Sequence, residues 1–316
     1  MINAANSFMT SLRNNRHRFL TQLEQVYHSL NLWTHGGMDD LRSSYRHFLQ
    51  VHGHEGAATI SFYTIFALPP LLIVVVTIGS FFLEVQEIQE IIVTFIEENL
   101  PIPPDVILTF IENLLSQRAT LGIIGIIGLL WSGSGVLTAL TMNIDRAFPD
   151  TRRRNVVQSR LIAFLMIGIL GLLLVISSVT TTFLHLIAEI NLPFINITPS
   201  FRILPGFIAY FSRLLLFFAL YTWIPNTNVR RRAAFWGALI ATSAIEITYR
   251  VFTLVFQTGL DYYNLLYGSL GTLVALMSWI YLNSQIIIIC AHLTATINGH
   301  INSRRAALLL NESAKN

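Results

Sequence analysis

The sequence predicts an all-α, polytopic membrane protein with six transmembrane helices, and three observations predict it. Six apolar runs punctuate the chain, at roughly 59–83, 120–142, 161–185, 201–224, 233–257 and 269–296. Each exceeds the ~20 residues that a helix rising ~1.5 Å per residue needs to cross the hydrocarbon layer. The basic residues alternate between the segments that separate the runs. Five lie before the first run (Arg13, Arg16, Arg18, Arg42, Arg46) and five after the second (Arg146, Arg152, Arg153, Arg154, Arg160). Arg230, Arg231 and Arg232 follow the fourth, and Arg304, Arg305 and Lys315 follow the sixth. The opposite segments hold only Arg118 and Arg202, each beside a span. Basic loops stay in the cytoplasm, so both ends are expected on the inner side of the membrane. Composition is the third observation: hydrophobic residues make up 53%, charged residues 12%, and mean hydropathy is +0.58. That is too apolar for a soluble domain.

Three regions follow: a cytoplasmic amphipathic region at 1–57, a six-helix transmembrane domain at 58–297, and a cytoplasmic tail at 298–316. Phe19, Leu23, Val26, Tyr27 and Leu30 recur at helical spacing. Gly36-Gly37 interrupts that pattern, and a second helix is expected over 38–50, with Asp39 and Asp40 favouring its first turn. Both helices are expected to lie on the inner membrane surface. No cleavable leader is expected, because the first 50 residues lack a continuous apolar core.

The outer loop, 84–118, reads as an amphipathic helical hairpin. Val85, Ile88, Ile92, Phe95 and Ile96 line its first arm, and Ile107, Phe110, Ile111, Leu114 and Leu115 its second. Between them Leu100-Pro-Ile-Pro-Pro104 forces the turn. Acidic residues gather on this outer side, among them Glu84, Glu87, Glu90, Glu97, Glu98 and Asp105. The net charge of +3 therefore speaks of orientation rather than of nucleic acid.

Within the spans, Pro69-Pro70 removes two amide donors and is expected to kink the first helix. Leu204-Pro-Gly206 opens the fourth run. In the second run, Gly122, Gly125, Gly128, Ser132, Gly135 and Ala139 form a stripe of small residues. Such a stripe lets another helix approach closely or lines a pathway.

Ionisable groups inside the hydrocarbon are costly unless paired or wetted. Arg213 lies in the fourth run, Glu246 and Arg250 in the fifth. The last two are four apart and share a helix face. Counted from the short loop joining the runs, Arg213 and Glu246 lie at similar depth, about 11 and 13 residues in. Two arginines thus stand against one carboxylate. Carbonyl groups, a lipid phosphate or a solute anion must answer the remaining charge. Either an ion-pair network fixes helix register, or a wet cavity binds an anionic group, with Tyr249 beside it. Trp223 and Trp236 fall near the inner interface, where indoles prefer to sit. Asn283, Ser284 and Gln285 in succession require that at least one face a neighbouring helix, and His292 is expected as a satisfied interhelical histidine or a proton relay.

Soluble-enzyme chemistry is missing. His52-Gly-His54-Glu55 offers two imidazoles and a carboxylate, too few ligands and without a supporting shell for a metal centre. Gly122-x-x-Gly125-x-x-Gly128 lies inside an apolar helix and cradles no phosphate. Trp131-Ser-Gly-Ser-Gly135 has no partner His and Asp for a nucleophile elbow. The single cysteine, Cys290, rules out an intramolecular disulfide. No nucleotide-binding cassette is present, and no cofactor is expected.

Gly56-Ala-Ala-Thr-Ile-Ser-Phe-Tyr-Thr-Ile-Phe-Ala-Leu-Pro69 resembles the first-span signature of the YihY/BrkB family. Leu121-Gly-Ile-Ile-Gly-Ile-Ile-Gly-Leu-Leu-Trp-Ser-Gly-Ser-Gly-Val136 is similar to its second span. Tyr267-Gly-Ser-Leu-Gly271 with Leu276-Met-Ser-Trp-Ile-Tyr281 is similar to its sixth. The three are ordered and cover nearly all of 55–297. The resemblance implies a bacterial inner-membrane protein of six helices with cytoplasmic ends. Two departures stand out. Cys290-Ala-His292 replaces the usual Gly-Ala-Glu, and Pro69-Pro70 replaces one proline. The family has also carried the label ribonuclease BN, but His-Gly-His-Glu is not the ligand cluster of a zinc-dependent nuclease, and no soluble domain is present to hold one. The expectation is therefore a transporter or exporter of an anionic or amphipathic solute, non-enzymatic, embedded in the lipid bilayer. The alternative is a non-transporting envelope protein whose outer helices dock a protein partner or a second copy.

Overall fold

The computed structural model describes residues 37–79, 90, 92–93, 118–149, 200–267 and 269–313. Among these residues every regular element is an α-helix, and no strand occurs. The helices are α1 (Gly37–Gln50), α2 (Gly53–Gly79), α3 (Arg118–Ala147), α4 (Ser200–Trp223), α5 (Arg231–Tyr267) and α6 (Ser269–Ser313). Five are long and apolar enough to cross a membrane: Gly53–Val74, Ile127–Ala147, Gly206–Trp223, Arg231–Val255 and Leu273–Ile301. They correspond to the first, second, fourth, fifth and sixth expected spans. The third expected span, the first amphipathic segment and all of the outer hairpin's arms but Glu90, Ile92 and Val93, which are helical, lie outside the described residues.

Only 22% to 33% of each of these stretches is buried. Phe66, Trp131, Phe207, Ile247 and Leu254 are all at least 60% exposed, an apolar outer surface suited to hydrocarbon and not to water.

Small residues set the tightest helix pair. A Cβ added at Gly125 would strike the Ile73 side chain, and one at Gly135 would meet the Tyr63 ring at 2.5 Å. At Gly128 it would meet Pro70 at 3.2 Å. The small stripe of α3 therefore faces α2, and α2 runs unbroken through Pro69-Pro70. Ser132 turns its hydroxyl back to the Gly128 carbonyl at 2.7 Å, satisfying its own polar group within the helix. The surroundings of Gly122 lie outside the described side chains.

Among the described residues, the larger core forms where α3 ends, α4 ends and α5 begins, against the middle of α6. Ile144, Phe148, Phe217, Tyr221, Ala234, Ala238, Ala241 and Ala291 all pack there. Tyr221 is completely buried, and its hydroxyl donates to the Ile287 carbonyl of α6 at 3.0 Å. Gly237 lets α5 approach the Thr294 side chain closely enough that any Cβ would collide.

Several helices extend beyond the runs read from sequence. α2 begins at Gly53, just after His52, which adopts φ 57. α6 continues through the expected tail to Ser313. Ala306-Ala-Leu-Leu-Leu310 are strong helix formers, and Gly299, the only glycine there, faces open space, so nothing ends the helix. Likewise α4 starts at Ser200, five residues before Pro205, so Leu204-Pro-Gly206 lies within its first turns.

α1 is amphipathic in an unexpected sense. Its polar side packs on α6 in antiparallel register. Asp40 Oδ1 meets His300 Nδ1 at 3.0 Å, Ser44 Oγ meets Thr296 Oγ1 at 3.0 Å, and His47 Nδ1 meets His292 Nδ1 at 3.2 Å. Phe48 seals the end of this ladder at 2% exposure, inside a cluster with Ala57, Ile60, Ala139 and Ile288. Leu41, Tyr45 and Leu49 remain exposed on the opposite side, next to Arg42 and Arg46.

Candidate solute site

The polar loop between α4 and α5 fixes how these two helices meet. The Asn226 N–H donates to Asp145 Oδ1 of α3 at 3.1 Å, and the Arg230 N–H donates to Asn298 Oδ1 of α6 at 3.0 Å. Asn298 Nδ2 in turn donates to the Asn228 carbonyl at 3.2 Å. The turn is clamped from two helices, so residues at matching depth on α4 and α5 are held opposite one another.

At that depth the structure brings together three of the four residues grouped from sequence. Arg213 Nη1 of α4 donates to Glu246 Oε2 of α5 at 3.0 Å. One turn along α5, Arg250 donates from Nε and Nη2 to Glu246 Oε1, both at 3.1 Å. Each carboxylate oxygen is thus taken by a different guanidinium. Tyr210 and Ser243 add a hydroxyl–hydroxyl bond of 2.9 Å across the same seam. The fourth residue, Tyr249, has its ring edge-on to Trp279 of α6, with centroids 5.8 Å apart. It belongs to a ring cluster that includes Phe252.

Exposure differs sharply across the cluster. The side chains of Arg213 and Glu246 are 27% and 32% exposed, whereas that of Arg250 is 74% exposed. A carboxylate between two guanidiniums leaves one net positive charge, and that charge is carried on an open side chain. In hydrocarbon such a group requires water, a headgroup or an anion. Chemically the arrangement offers planar donors to a carboxylate or phosphate, with Glu246 already holding both arginines in place.

His292, expected as a satisfied interhelical histidine or a relay, is 1% exposed and half satisfied. Its Nδ1 meets His47, while Nε2 has no partner among the described residues. Asn283 and Ser284 bond back to the Trp279 and Ile280 carbonyls of their own helix at 2.7 and 2.8 Å. Sequence reasoning missed the α1–α6 ladder. Its signal was present as two polar stripes: Asp40, Ser44 and His47 on one helix, and His292, Thr296 and His300 at intervals of four on the other.

Comparison with known proteins places the chain among bacterial membrane proteins. A UPF0761 membrane protein of Alteromonas mediterranea is 27% identical over 252 residues, covering 79% of this chain and 84% of the relative. One from Mannheimia succiniciproducens is 28% identical over 261 residues, covering 80% and 87%. Another, from Aeromonas salmonicida, is 25% identical over 275 residues, covering 85% and 92%. No solved structure matches. Residues 44–313 match the profile of the family described as virulence factor BrkB, the family that the first, second and sixth spans resemble, and the chain belongs to it.

Proposed function

We propose that this chain carries an anionic or amphipathic solute across the bacterial inner membrane, with its ends in the cytoplasm and Arg213, Glu246 and Arg250 at the solute site. One observation supports this reading above the others. The Glu246 carboxylate is shared by two arginines inside an apolar helix pair, and the surplus positive charge sits on the open Arg250 side chain. An ion pair serving only to fix register gains little, a few tenths of a kcal/mol, from a second, exposed arginine, whereas a site for a negatively charged group gains its charge. The reading is of a transporter and not of an enzyme.

Orientation follows from the arginine-rich segments at 146–160 and 230–232, which stay on the cytoplasmic side. On α1, Leu41, Tyr45 and Leu49 would then lie against the inner leaflet, with Arg42 and Arg46 at headgroup level.

The test is charge displacement by purified protein in liposomes adsorbed to a capacitive sensor, jumped from gluconate to chloride, phosphate or a short organic acid. The wild-type chain gives a transient current for at least one anion, while Arg213→Ala and Glu246→Gln give none at equal protein density. Wild-type currents in both variants would remove the site. Loss of stability alone, with no wild-type current for any anion, would favour a non-transporting envelope protein.

A further inference from the structure

We infer that the corner between α1 and α2 is a binding site for a first-row divalent transition metal ion, held by His52, His54 and Glu55. The corner lies outside the arginine–glutamate cluster, and the inference is independent of the transport reading. The ligand atoms of these three side chains all lie within 4.8 Å of one another. His52 Nδ1 already meets Glu55 Oε1 at 3.2 Å, and the two imidazole rings stand 6.2 Å apart. Zinc-type ions bind imidazole nitrogen and carboxylate oxygen at ~2.0–2.2 Å, which puts neighbouring tetrahedral ligands roughly 3.3 Å apart. One contact is there already. Rotation of the exposed side chains supplies the rest, a contraction of at most about 1.5 Å from the observed spacing.

From sequence alone the motif lacks support, because three donors on a loose loop hold a metal poorly. The structure gives the loop a frame. His52 takes the left-handed backbone conformation, φ 57, which turns the chain from α1 into α2. Its carbonyl accepts from the Glu55 N–H at 3.0 Å and the Gly56 N–H at 3.3 Å, closing the first turn of α2 around the donors. Gly53 is buried beneath the Phe48 ring, and Gly56 against the Asn143 side chain of α3, both so close that no Cβ fits. The backbone is therefore pinned on two sides while the three side chains project outward. Rigid backbone beneath the ligands is what a preformed site requires.

The donor set selects the ion. Two imidazoles favour zinc, cobalt, nickel or copper over calcium or magnesium, which take oxygen ligands. Three protein ligands in the open leave at least one position for water, so the site suits reversible binding and not a closed structural centre.

The experiment uses the full chain in detergent with any affinity tag removed, stripped with a chelator. Co2+ is titrated as a visible-absorption probe and then displaced with Zn2+. The wild-type chain is expected to take up one Co2+ with ligand-field absorption that Zn2+ abolishes. Glu55→Gln and His54→Gln each weaken uptake by ~10-fold or more, as does His52→Asn, which keeps a residue tolerant of positive φ. His300→Gln, at the far end of the α1–α6 ladder, leaves uptake unchanged. Absent saturable uptake in the wild type would overturn the inference. So would wild-type affinity in Glu55→Gln, a near-isosteric change whose elution profile on size exclusion checks the fold.

Discussion

The ion cluster makes a quantitative prediction that separates a structural role from a transport role. Glu246→Gln removes the carboxylate that accepts one bond from Arg213 and two from Arg250. Hydrogen bonds to charged groups contribute about 1.5–3 kcal/mol when sheltered. Glu246 is about one-third exposed, so solvent screening brings the Arg213 bond to or below the lower end of that range, about 1–1.5 kcal/mol. The open Arg250 adds only a few tenths, as i,i+4 pairs do. The single change should thus destabilise by about 1.5–2 kcal/mol. Arg213→Gln leaves Glu246 with Arg250 and should cost about 1 kcal/mol. The double variant no longer strands a charge at the α4–α5 seam, so it should cost about 1.5 kcal/mol, a coupling of roughly 1 kcal/mol. Reversible unfolding in mixed micelles measures all four chains. Additive single changes, within about 0.5 kcal/mol, would refute the pairing argument. Charge displacement by the same four proteins completes the test. The double variant should be more stable than additivity predicts yet inactive. A double variant that still carries anions would leave the cluster as a register device only.

Two further predictions concern the scaffold. Gly135→Val should cost about 1–3 kcal/mol, because its side chain enters the Tyr63 ring, and Tyr63→Ala in the same chain should recover part of that loss in detergent thermal unfolding. A Gly135→Val chain as stable as wild type would show that α2 and α3 do not meet there. Asn298→Ala should cost about 1–2 kcal/mol by freeing the Arg230 amide and the Asn228 carbonyl. Asn298→Asp keeps the acceptor and should lose about half as much by the same assay.

How far the sequence carried depended on whether a signal was local. The spans are written in single stretches of hydropathy, and α1 starts where Asp39 and Asp40 favour a helix N-terminus. The meeting of Arg213 with Glu246 was legible because only a short loop separates their helices, so counting residues from that loop fixes their depth. Tyr249 joins them in the sequence reading only as a polar residue of the same span, beside Glu246 and Arg250. Its ring faces Trp279, because on one helix a neighbour three residues from Glu246 is still rotated by ~60° about the axis.

Long-range pairings were less legible. Nothing local to Asp40, Ser44 or His47 says that His300, Thr296 and His292, some 250 residues away, receive them. Only matching the two polar stripes in antiparallel order would have done so. The burial of Tyr221 against Ile287 has the same origin, since a tyrosine in a span reads equally well as an interfacial anchor. The length of α6 was underestimated because hydropathy falls beyond residue 296 while helix propensity does not. At the α1–α2 corner, the spacing of His52, His54 and Glu55 was plain, but the packing of Phe48 on Gly53 and of Asn143 on Gly56 was not.

Water access to the arginine–glutamate cluster is the most direct test of the proposed site. In a Cys290→Ala background, which removes the only cysteine, Ser243→Cys places a thiol on the α4–α5 seam beside Tyr210. Ile247→Cys places one at a similar depth on the outward apolar face, where the native residue is 62% exposed. A charged, membrane-impermeant thiol reagent added to vesicles should modify the first and spare the second, and a binding anion should slow the reaction. Equal protection of both thiols would mean a dry seam between α4 and α5, and the cluster could not then receive a solute.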